Sequence, residues 1–301
     1  MTGPGRTIII EIKRTETGGR ENKPPVLCSK VKESGQSMSF YIALGVSIAS
    51  GLYTSLWGAF KDSPYENFKP KTFPRSIYFH IVILGVLYFV PLFKDDFGAL
   101  GLFQVFFLIM GLERFIAELY KGFFRTEDQS KYFVPSRITF FGRHVASDLL
   151  RYAVGTVLVL GVFTVVLIPV PVTSFWIFLL TAYATGLLVS LGGAYKDAPF
   201  EGFQPLKFQR SGVVLALCSP LFFFLNDAMH PVSLGFLVYM NGGLERFVVE
   251  YYKTYIQRTM SGKFRPDLLR IQRCLDTREK FHYGALVIIL GLIVLYVYEI
   301  Q

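Results

Sequence analysis

The sequence predicts an all-α protein, a polytopic transmembrane helix bundle whose eight helices form two tandem four-helix repeats of parallel topology. Three observations predict this fold class. The chain of 301 residues is 52% hydrophobic and only 18% charged, whereas soluble chains carry about 25% charged residues. Long apolar runs alternate with short charged segments, which is typical of proteins that span membranes. Two motifs also occur twice in the same order, which indicates a duplicated unit.

The first repeated motif is a charged stretch that contains prolines. Residues 61–76 read KDSPYENFKPKTFPRS and residues 196–211 read KDAPFEGFQPLKFQRS, so nine of sixteen positions are identical at a constant offset of 135. The approach to this motif also repeats, with SGLYTSLWGAFKD at 50–62 and TGLLVSLGGAYKD at 185–197. The repeat therefore includes the apolar segment before the charges.

The second repeated motif belongs to an apolar helix that carries charges. GLERFIAELYK at 111–121 returns as GLERFVVEYYK at 243–253, with eight of eleven positions identical and an offset of 132. The change in offset falls in the short connection between the two motifs. Both motifs thus belong to one unit that occurs twice.

The two repeats define the domain organisation. Residues 1–37 are polar and are predicted to form a surface tail, residues 38–172 form the first repeat and residues 173–301 the second. An even number of spans per unit gives two copies of the same orientation, related by an axis along the membrane normal. The predicted helices are 39–60, 75–93, 98–122 and 146–168 in the first repeat, and 174–195, 211–226, 232–254 and 281–299 in the second.

The charged motif is predicted to be a loop that ends one span and starts the next. Lys61 and Asp62 would cap the first helix, and Pro64 and Pro70 would prevent a regular helix from continuing. Arg75 would begin the next helix, where free backbone N–H groups and the helix dipole favour an anion. Lys196, Asp197 and Arg210 occupy the equivalent positions in the second copy.

The GLER motif places charges within a predicted span. Arg114, Glu118 and Lys121 lie on one face of the helix, and Glu113 lies about 100° away. Charges at membrane depth cost several kcal/mol unless they are paired or hydrated, so they indicate a functional site by default. The structural alternative is that Arg–Glu pairs hold the helices in the bundle. The second copy provides Glu245, Arg246, Glu250 and Lys253.

The arginines of the two motifs suggest a site for a phosphate group, because guanidinium groups match phosphate geometry. Within one copy Arg75 and Arg114 would hold the phosphate from two sides, and Glu66 would act as a base. The predicted catalytic residues are Glu66, Glu201, Glu118 and Glu250. The predicted substrate-binding residues are Arg75, Arg114, Lys121, Arg210, Arg246, Lys253, Lys61, Lys196, Asp62, Asp197, Glu113 and Glu245.

Composition and spacing also limit the possible function classes. The net charge of +9 comes without basic–aromatic alternation, so nucleic acid is not an expected partner. The three cysteines form no CxxC pair, which argues against a metal site or a disulfide framework. The histidines form no catalytic set by spacing. No metal and no cofactor are therefore expected.

The two motifs together resemble the prolipoprotein diacylglyceryl transferase family. That family carries an arginine-containing stretch entering a helix, then a short loop and a helix with a Gly-x-x-Arg-Phe-x-x-Glu pattern. Here Arg75-Ser76 is followed by Gly111, Arg114-Phe115 and Glu118. The resemblance covers about fifty residues per copy. It implies a phospholipid headgroup held by arginines, with transfer of a diacylglyceryl group as the associated activity.

Three functions remain open at this point. The first is the handling of an anionic phospholipid or lipid-linked substrate, the second is transport along a polar path at the repeat interface, and the third is a structural role in a membrane complex. Expected partners are the lipid bilayer, anionic phospholipid headgroups, and a membrane protein or a second copy. The expected location is a prokaryotic cytoplasmic membrane. Both orientations of the basic loops remain open under the positive-inside rule.

Overall fold

The computed structural model describes residues 38–128, 137–140, 143–145, 147–226, 231–258 and 268–301. The predicted tail at 1–37 lies outside these residues, so the interpretation of that segment stays a prediction. The chain has an all-α architecture, because helices account for most of the described residues.

The first half begins with a long helix and ends with an apolar helix that carries the GLER motif. Helix α1 spans Phe40–Glu66, α2 Arg75–Phe89, α3 Pro91–Gly98 and α4 Leu102–Leu119. One π-helical turn at Tyr120–Phe124 continues α4. The basic segment after this turn contains a short antiparallel hairpin, β1 at Thr139–Phe140 and β2 at Arg143–His144, which the sequence did not predict. Helix α5 spans Asp148–Val166.

The second half shows a similar succession of elements. Helix α6 spans Phe175–Glu201, α7 Pro205–Cys218, α8 Pro220–Phe224 and α9 Leu234–Tyr251. A π-helical turn at Tyr252–Ile256 follows α9, as one follows α4. Helix α10 spans Leu268–Ile300.

Helices α4 and α9 form the centre of the molecule and pack against each other. Residues 103–113 of α4 are buried without interruption, as are 235–237 and 239–246 of α9. Helix α1 packs against α2, α4 and α10, whereas α6 packs against α7 and α9. The outer helices therefore enclose two central helices that carry the GLER motifs.

Close backbone contacts set the packing of the outer helices. A Cβ on Gly51 of α1 would fall 2.6 Å from the Cα of Ile77 in α2. At an offset of 135, a Cβ on Gly186 of α6 would fall 2.6 Å from the Cα of Gly212 in α7. Small residues thus allow both helix pairs to approach to backbone distance.

Several helices have the length and composition of membrane spans. Among the described residues four helices qualify, and the bent pair α2–α3 would make a fifth if it counts as one broken span. Helices α4 and α9 do not qualify, and each carries three charged residues within its apolar sequence. These apolar helices are compatible with an integral membrane protein. The four helices with the length and composition of membrane spans are Phe40–Tyr65, Asp148–Val166, Phe175–Tyr195 and Arg278–Ile300.

Two predicted spans are broken near a proline. The span predicted at 75–93 ends at Phe89, and the chain turns by 96° into α3, which begins at Pro91. The span predicted at 211–226 begins earlier, at Pro205, and is interrupted at Ser219 before Pro220. Proline lacks a backbone N–H and disfavours a helical conformation in the residue before it, which explains why each helix is interrupted directly before a proline.

The prediction that Pro64 ends the first helix was wrong. Helix α1 continues through Pro64 to Glu66, so Lys61 and Asp62 lie inside the helix and do not cap it. A proline in the last turn removes only one hydrogen bond, which a long packed helix tolerates. The helix ends instead at Asn67, where φ is +63°; α6 likewise runs through Pro199 and ends at Gly202 with φ of +80°.

Candidate functional site

The candidate site lies where the central helices α4 and α9 meet. A Cβ on Gly111 would overlap the carbonyl oxygen of Tyr239, and a Cβ on Gly243 would overlap the carbonyl oxygen of Phe107. Any side chain at either glycine would push the two helices apart. This close contact brings the Glu-Arg pair that follows each glycine next to the other helix.

Two reciprocal ion pairs connect α4 and α9. Arg114 Nη1 contacts Glu245 Oε2, and Arg246 Nη1 contacts Glu113 Oε2. The exposed fractions of these side chains are 15% for Arg114, 9% for Arg246, 7% for Glu113 and 2% for Glu245. Each arginine is thus neutralised by the glutamate of the other motif copy. These contacts are the ones expected if Arg–Glu pairs hold the helices in the bundle.

A serine from each copy of the charged motif completes each ion pair. Ser76 Oγ donates a hydrogen bond to Glu113 Oε1 at 3.3 Å, and Ser211 Oγ donates one to Glu245 Oε1 at 2.7 Å. Each glutamate therefore accepts from a serine on one side and an arginine on the other. A buried carboxylate needs such partners, because desolvation of an unpaired charge costs several kcal/mol.

The two arginines differ in what covers them. The guanidinium of Arg246 lies 5.2 Å from the ring centre of Trp57, and Lys61 Nζ lies 4.6 Å from the same ring. Trp57 Nε1 also donates to Thr254 Oγ1 at 2.8 Å, which fixes the indole over the site. Arg114 instead donates from Nη1 to the carbonyl oxygen of Gly242 at 3.1 Å. Arg246 is therefore covered by the indole of Trp57, whereas Arg114 has a backbone oxygen as its second partner besides Glu245.

The arginines of the charged motif lie in different surroundings. Arg75 is exposed at the start of α2, whereas Arg210 is partly buried within α7. The Arg210 Nε atom is buried and has no hydrogen-bond partner among the described residues. Arg210 directly precedes Ser211, and the chain of contacts continues through Glu245 to Arg114. The contacts therefore connect Arg114 with the second copy of the charged motif, not with Arg75 as the sequence analysis expected.

The outer charges of the GLER motifs pair along their own helices. Lys121 Nζ lies 3.0 Å from Glu118 Oε1, and Lys253 Nζ lies 3.0 Å from Glu250 Oε1. Glu118 is about half exposed, with a side-chain exposure of 51%, whereas Glu250 retains 19%. Ion pairs of this spacing contribute only about 0.2–0.5 kcal/mol to a helix.

The remaining predicted site residues belong to the ends of α1 and α6. Asp62 is half-buried in the last turns of α1, one residue after Lys61. The side chains of Glu66, Lys196, Asp197 and Glu201 lie outside the described part of the structure, so their roles stay predictions. The described residues contain no group of histidine, cysteine, aspartate or glutamate that could hold a metal ion.

Several polar residues of the interior lie outside the predicted set of catalytic and substrate-binding residues, although His80 stood out among the histidines because it lies near Arg75 in the sequence. His80 Nδ1 lies 2.6 Å from the carbonyl oxygen of Ser76, and its Nε2 is buried without a partner in the described structure. Tyr53 donates to the carbonyl oxygen of Phe247 at 3.3 Å. Trp57 was visible in the repeat alignment, where it stands opposite Gly192, but the alignment alone gave no reason to place it over an arginine.

Comparison with known proteins returned no relative: no protein-family model matches the chain, and no match was found among the curated proteins or the solved structures. The fold and the paired charges thus define a class, an all-α protein with apolar helices compatible with the membrane and a buried double ion pair at its centre.

Proposed function

We propose that this chain is a membrane-embedded protein that binds an anionic phospholipid or lipid-linked substrate at Arg114 and Arg210. The observation that carries the proposal is the buried Arg210 Nε, which has no hydrogen-bond partner among the described residues. A buried donor on a charged group is costly when it lacks an acceptor. A phosphate oxygen supplies such an acceptor, and the planar guanidinium group matches the geometry of phosphate.

The hydrogen bonds of Arg114 support the same proposal. Both of its contacts use Nη1, one to Glu245 and one to the carbonyl oxygen of Gly242. A guanidinium has five N–H donors, so Arg114 retains donors after both contacts are made. Ser211 donates to Glu245, and Glu245 in turn fixes the position of Arg114. The guanidinium of Arg114 is therefore oriented and still has N–H donors for a ligand.

Lipid binding by matched variants tests this proposal. In detergent, we expect native mass spectrometry to show tighter binding of phosphatidylglycerol than of phosphatidylcholine. Arg210→Gln should weaken phosphatidylglycerol binding about tenfold, because one charge-assisted hydrogen bond contributes about 1.5 kcal/mol. Arg75→Gln is the control, since it changes the equivalent arginine of the other copy, which is exposed. Equal binding of the two lipids, or no effect of Arg210→Gln, would contradict the proposal.

The same site forms the basis for a proposed transfer activity. By its resemblance to the diacylglyceryl transferases, the protein would act in a prokaryotic cytoplasmic membrane and move the diacylglyceryl group of phosphatidylglycerol to a cysteine thiol of a peptide. Glu118, Glu250, Glu66 or Glu201 would act as a base and take the thiol proton. The sulfur would form a C–S bond to the diacylglyceryl group while the C–O bond to phosphate breaks, with glycerol phosphate as the leaving group. Incubation with radiolabelled phosphatidylglycerol and a lipobox peptide tests this step. A labelled peptide that disappears with Arg114→Gln would support transfer, and its absence with wild-type protein would leave lipid binding as the function.

We also infer that the chain is a tandem duplication of one unit. Equivalent contacts support this inference: Ser76–Glu113 and Ser211–Glu245 follow the sequence offsets. The ring centres of Phe68 and Phe73 are 5.5 Å apart, and those of Phe203 and Phe208 are 5.6 Å apart. An experimental structure whose halves fail to superimpose would overturn the inference.

A specific observation also favours transport as a second candidate function. Several polar side chains of the interior have buried atoms without a hydrogen-bond partner among the described residues. Unpaired polar groups in the interior of a membrane protein mark hydrated paths. Flux of ions or small solutes into proteoliposomes tests this candidate, and no flux across a broad panel would remove it. These side chains are Ser47, Thr54, Ser55, His80 and Asn241.

A further inference from the structure

The two halves of the chain differ at one pair of equivalent positions. In the first half, Trp57 on α1 donates a hydrogen bond to Thr254 in the π-helical turn after α9. The sequence offsets of 135 and 132 place Gly192 opposite Trp57, and Gly122 opposite Thr254. The Trp57–Thr254 hydrogen bond joins α1 to the π-helical turn after α9. Its equivalent between α6 and the π-helical turn after α4 cannot form, because both equivalent residues are glycines.

The space beside these glycines is open. A Cβ on Gly122 or on Gly192 would meet no atom within 4 Å, and the same holds for Gly193. By contrast, a Cβ on the equally helical Gly155 would fall 2.5 Å from the Cβ of Phe123. The glycines at 122 and 192 are thus not explained by close packing within the chain.

The surrounding side chains show the same difference between halves. Tyr53 and Phe60, one turn before and after Trp57, are 2% and 1% exposed. Their equivalents at the 135 offset, Leu188 and Tyr195, are 55% and 43% exposed. The same face of the helix is buried on α1 and open on α6.

Helix α10 accounts for the difference. It packs along α1, where a Cβ on Gly284 would meet the side chain of Leu56 at 3.1 Å. Helix α5 occupies the corresponding position in the chain order, but in the described structure it makes no extended contact with α6. Instead, Gly155 of α5 packs against Phe123 and Phe124, next to Gly122. The face of α6 equivalent to the covered face of α1 therefore stays open, and we call this face, together with the turn position equivalent to Thr254, the lateral opening; it is defined by Gly122, Leu188, Gly192 and Tyr195.

We propose that this lateral opening admits the acyl chains of one phospholipid from the bilayer, and that Trp57 closes the equivalent route in the first half. The inference rests on the proposed function. The four residues that define the opening carry no charge. In the described part of the chain no aromatic ring lies over the cation of Arg114, whereas Arg246 lies against Trp57. A phospholipid matches this arrangement, because its acyl chains are apolar and would lie along α6 while its anionic headgroup would reach Arg114.

This asymmetry predicts one bound phospholipid per chain, although the motifs occur twice. The site beside Trp57 contains the pair of Arg246 and Glu113, but Trp57, Tyr53 and Phe60 fill the space that an acyl chain would need. The site open to lipid is the one that also contains the buried, unpartnered Nε of Arg210. The opening on α6 and the cation of Arg210 on α7 therefore belong to neighbouring helices.

A tryptophan placed in the opening tests the inference. Gly192→Trp recreates the side chain of the first half, and the open space around Gly192 allows it without displacing backbone. Gly291→Trp is the matched control, because Gly291 lies on the exposed face of α10 and a Cβ there also meets no atom within 4 Å. Native mass spectrometry with phosphatidylglycerol would give the number of lipids bound and their affinity.

We expect wild-type protein and Gly291→Trp to bind one phosphatidylglycerol with the same affinity, and Gly192→Trp to bind it at least tenfold more weakly. Unchanged binding by Gly192→Trp would overturn the lateral opening while leaving the headgroup site intact. Failure of all three proteins to prefer phosphatidylglycerol over phosphatidylcholine would instead overturn the proposed function. A wild-type dimer that Gly192→Trp converts to monomer would assign the opening to a second copy and refute lipid entry.

Discussion

Gly111 and Gly243 pack against each other so closely that neither position leaves room for a side chain. A Cβ on either glycine would overlap a backbone carbonyl oxygen of the opposite helix. Backbone cannot move aside as a flexible side chain can, so the overlap has to be relieved by separating α4 from α9. The two Glu–Arg ion pairs depend on the close approach of α4 and α9, because each pair bridges the two helices.

Gly111→Ala should therefore destabilise the protein strongly. We expect a loss of about 3 kcal/mol in the free energy of unfolding, the upper part of the range for overpacked cores. Thermal unfolding in detergent, followed by intrinsic fluorescence, measures the loss. Gly161→Ala is the control on α5, where a Cβ would meet no atom within 4 Å. Alanine favours a helix over glycine by about 0.5–1 kcal/mol, so the control should be unchanged or more stable, and equal losses would contradict the prediction.

The ion pair of Arg246 with Glu113 should couple the stability effects of the two residues. Arg246→Met leaves Glu113 buried with only Ser76 as a partner, and the expected cost is about 3–5 kcal/mol. Adding Glu113→Leu removes the unpaired charge and should restore a large part of the lost stability. A double-mutant cycle on the unfolding free energies measures this coupling. Additive effects of the two substitutions would show that the residues do not act as a pair.

The sequence predicted the helical, apolar character of the chain because hydrophobic residues and charges segregate strongly along it. It also singled out Glu113, Arg114, Glu245 and Arg246, since charges within an apolar helix need a partner. It did not predict which arginine meets which glutamate. That pairing depends on how α4 crosses α9, and the crossing is set by backbone contact at Gly111, which has no signature in local sequence pattern.

The sequence-based boundaries failed where a local rule competed with tertiary packing. Pro64 was expected to end the first helix, yet the packed helix continues to Glu66. The span predicted at 98–122 begins at Leu102 and changes to a π-helical turn at Tyr120. Both differences arise because contacts between helices outweigh the preferences of single residues near the ends.

Trp57 should stabilise the packing of α1 against the second half through its contacts with Thr254 and Arg246. Trp57→Phe keeps an aromatic ring but removes the hydrogen bond of 2.8 Å to Thr254. We expect a loss of about 1 kcal/mol for that bond, measured as a lower unfolding temperature. Trp176→Phe is the control, because the Trp176 side chain is 75% exposed on α6. A control that loses as much stability as Trp57→Phe would contradict the assignment.

Glu299 near the end of α10 should hold the start of α4. Its carboxylate accepts hydrogen bonds from the backbone N–H groups of Leu102 and Phe103, two donors that the first turn of a helix leaves unpaired. Glu299→Gln keeps the shape but removes the charge, and we expect a loss of about 1–2 kcal/mol in unfolding free energy.

Glu279→Gln on the same helix is the control for this substitution. Glu279 pairs with the well-exposed Arg258 at 3.3 Å, and exposed ion pairs contribute at most about 1 kcal/mol. Hydrogen exchange provides a second readout, since Glu299→Gln should increase exchange at the first turn of α4 and Glu279→Gln should not. Equal protection of that turn in both variants would show that Glu299 does not cap it.

Asn67 ends α1 with a backbone conformation that most residues disfavour. Its φ is +63°, and Gly202 ends α6 with a φ of +80°. A β-branched side chain at positive φ is strained by about 1–3 kcal/mol, so Asn67→Val should lower the unfolding temperature. Asn67→Gly supplies at this position the residue that α6 already uses, and it should fold with unchanged or higher stability. If thermal unfolding ranks Asn67→Val at or above Asn67→Gly, then the left-handed residue does not determine where α1 stops, and Pro64 would again be the better explanation.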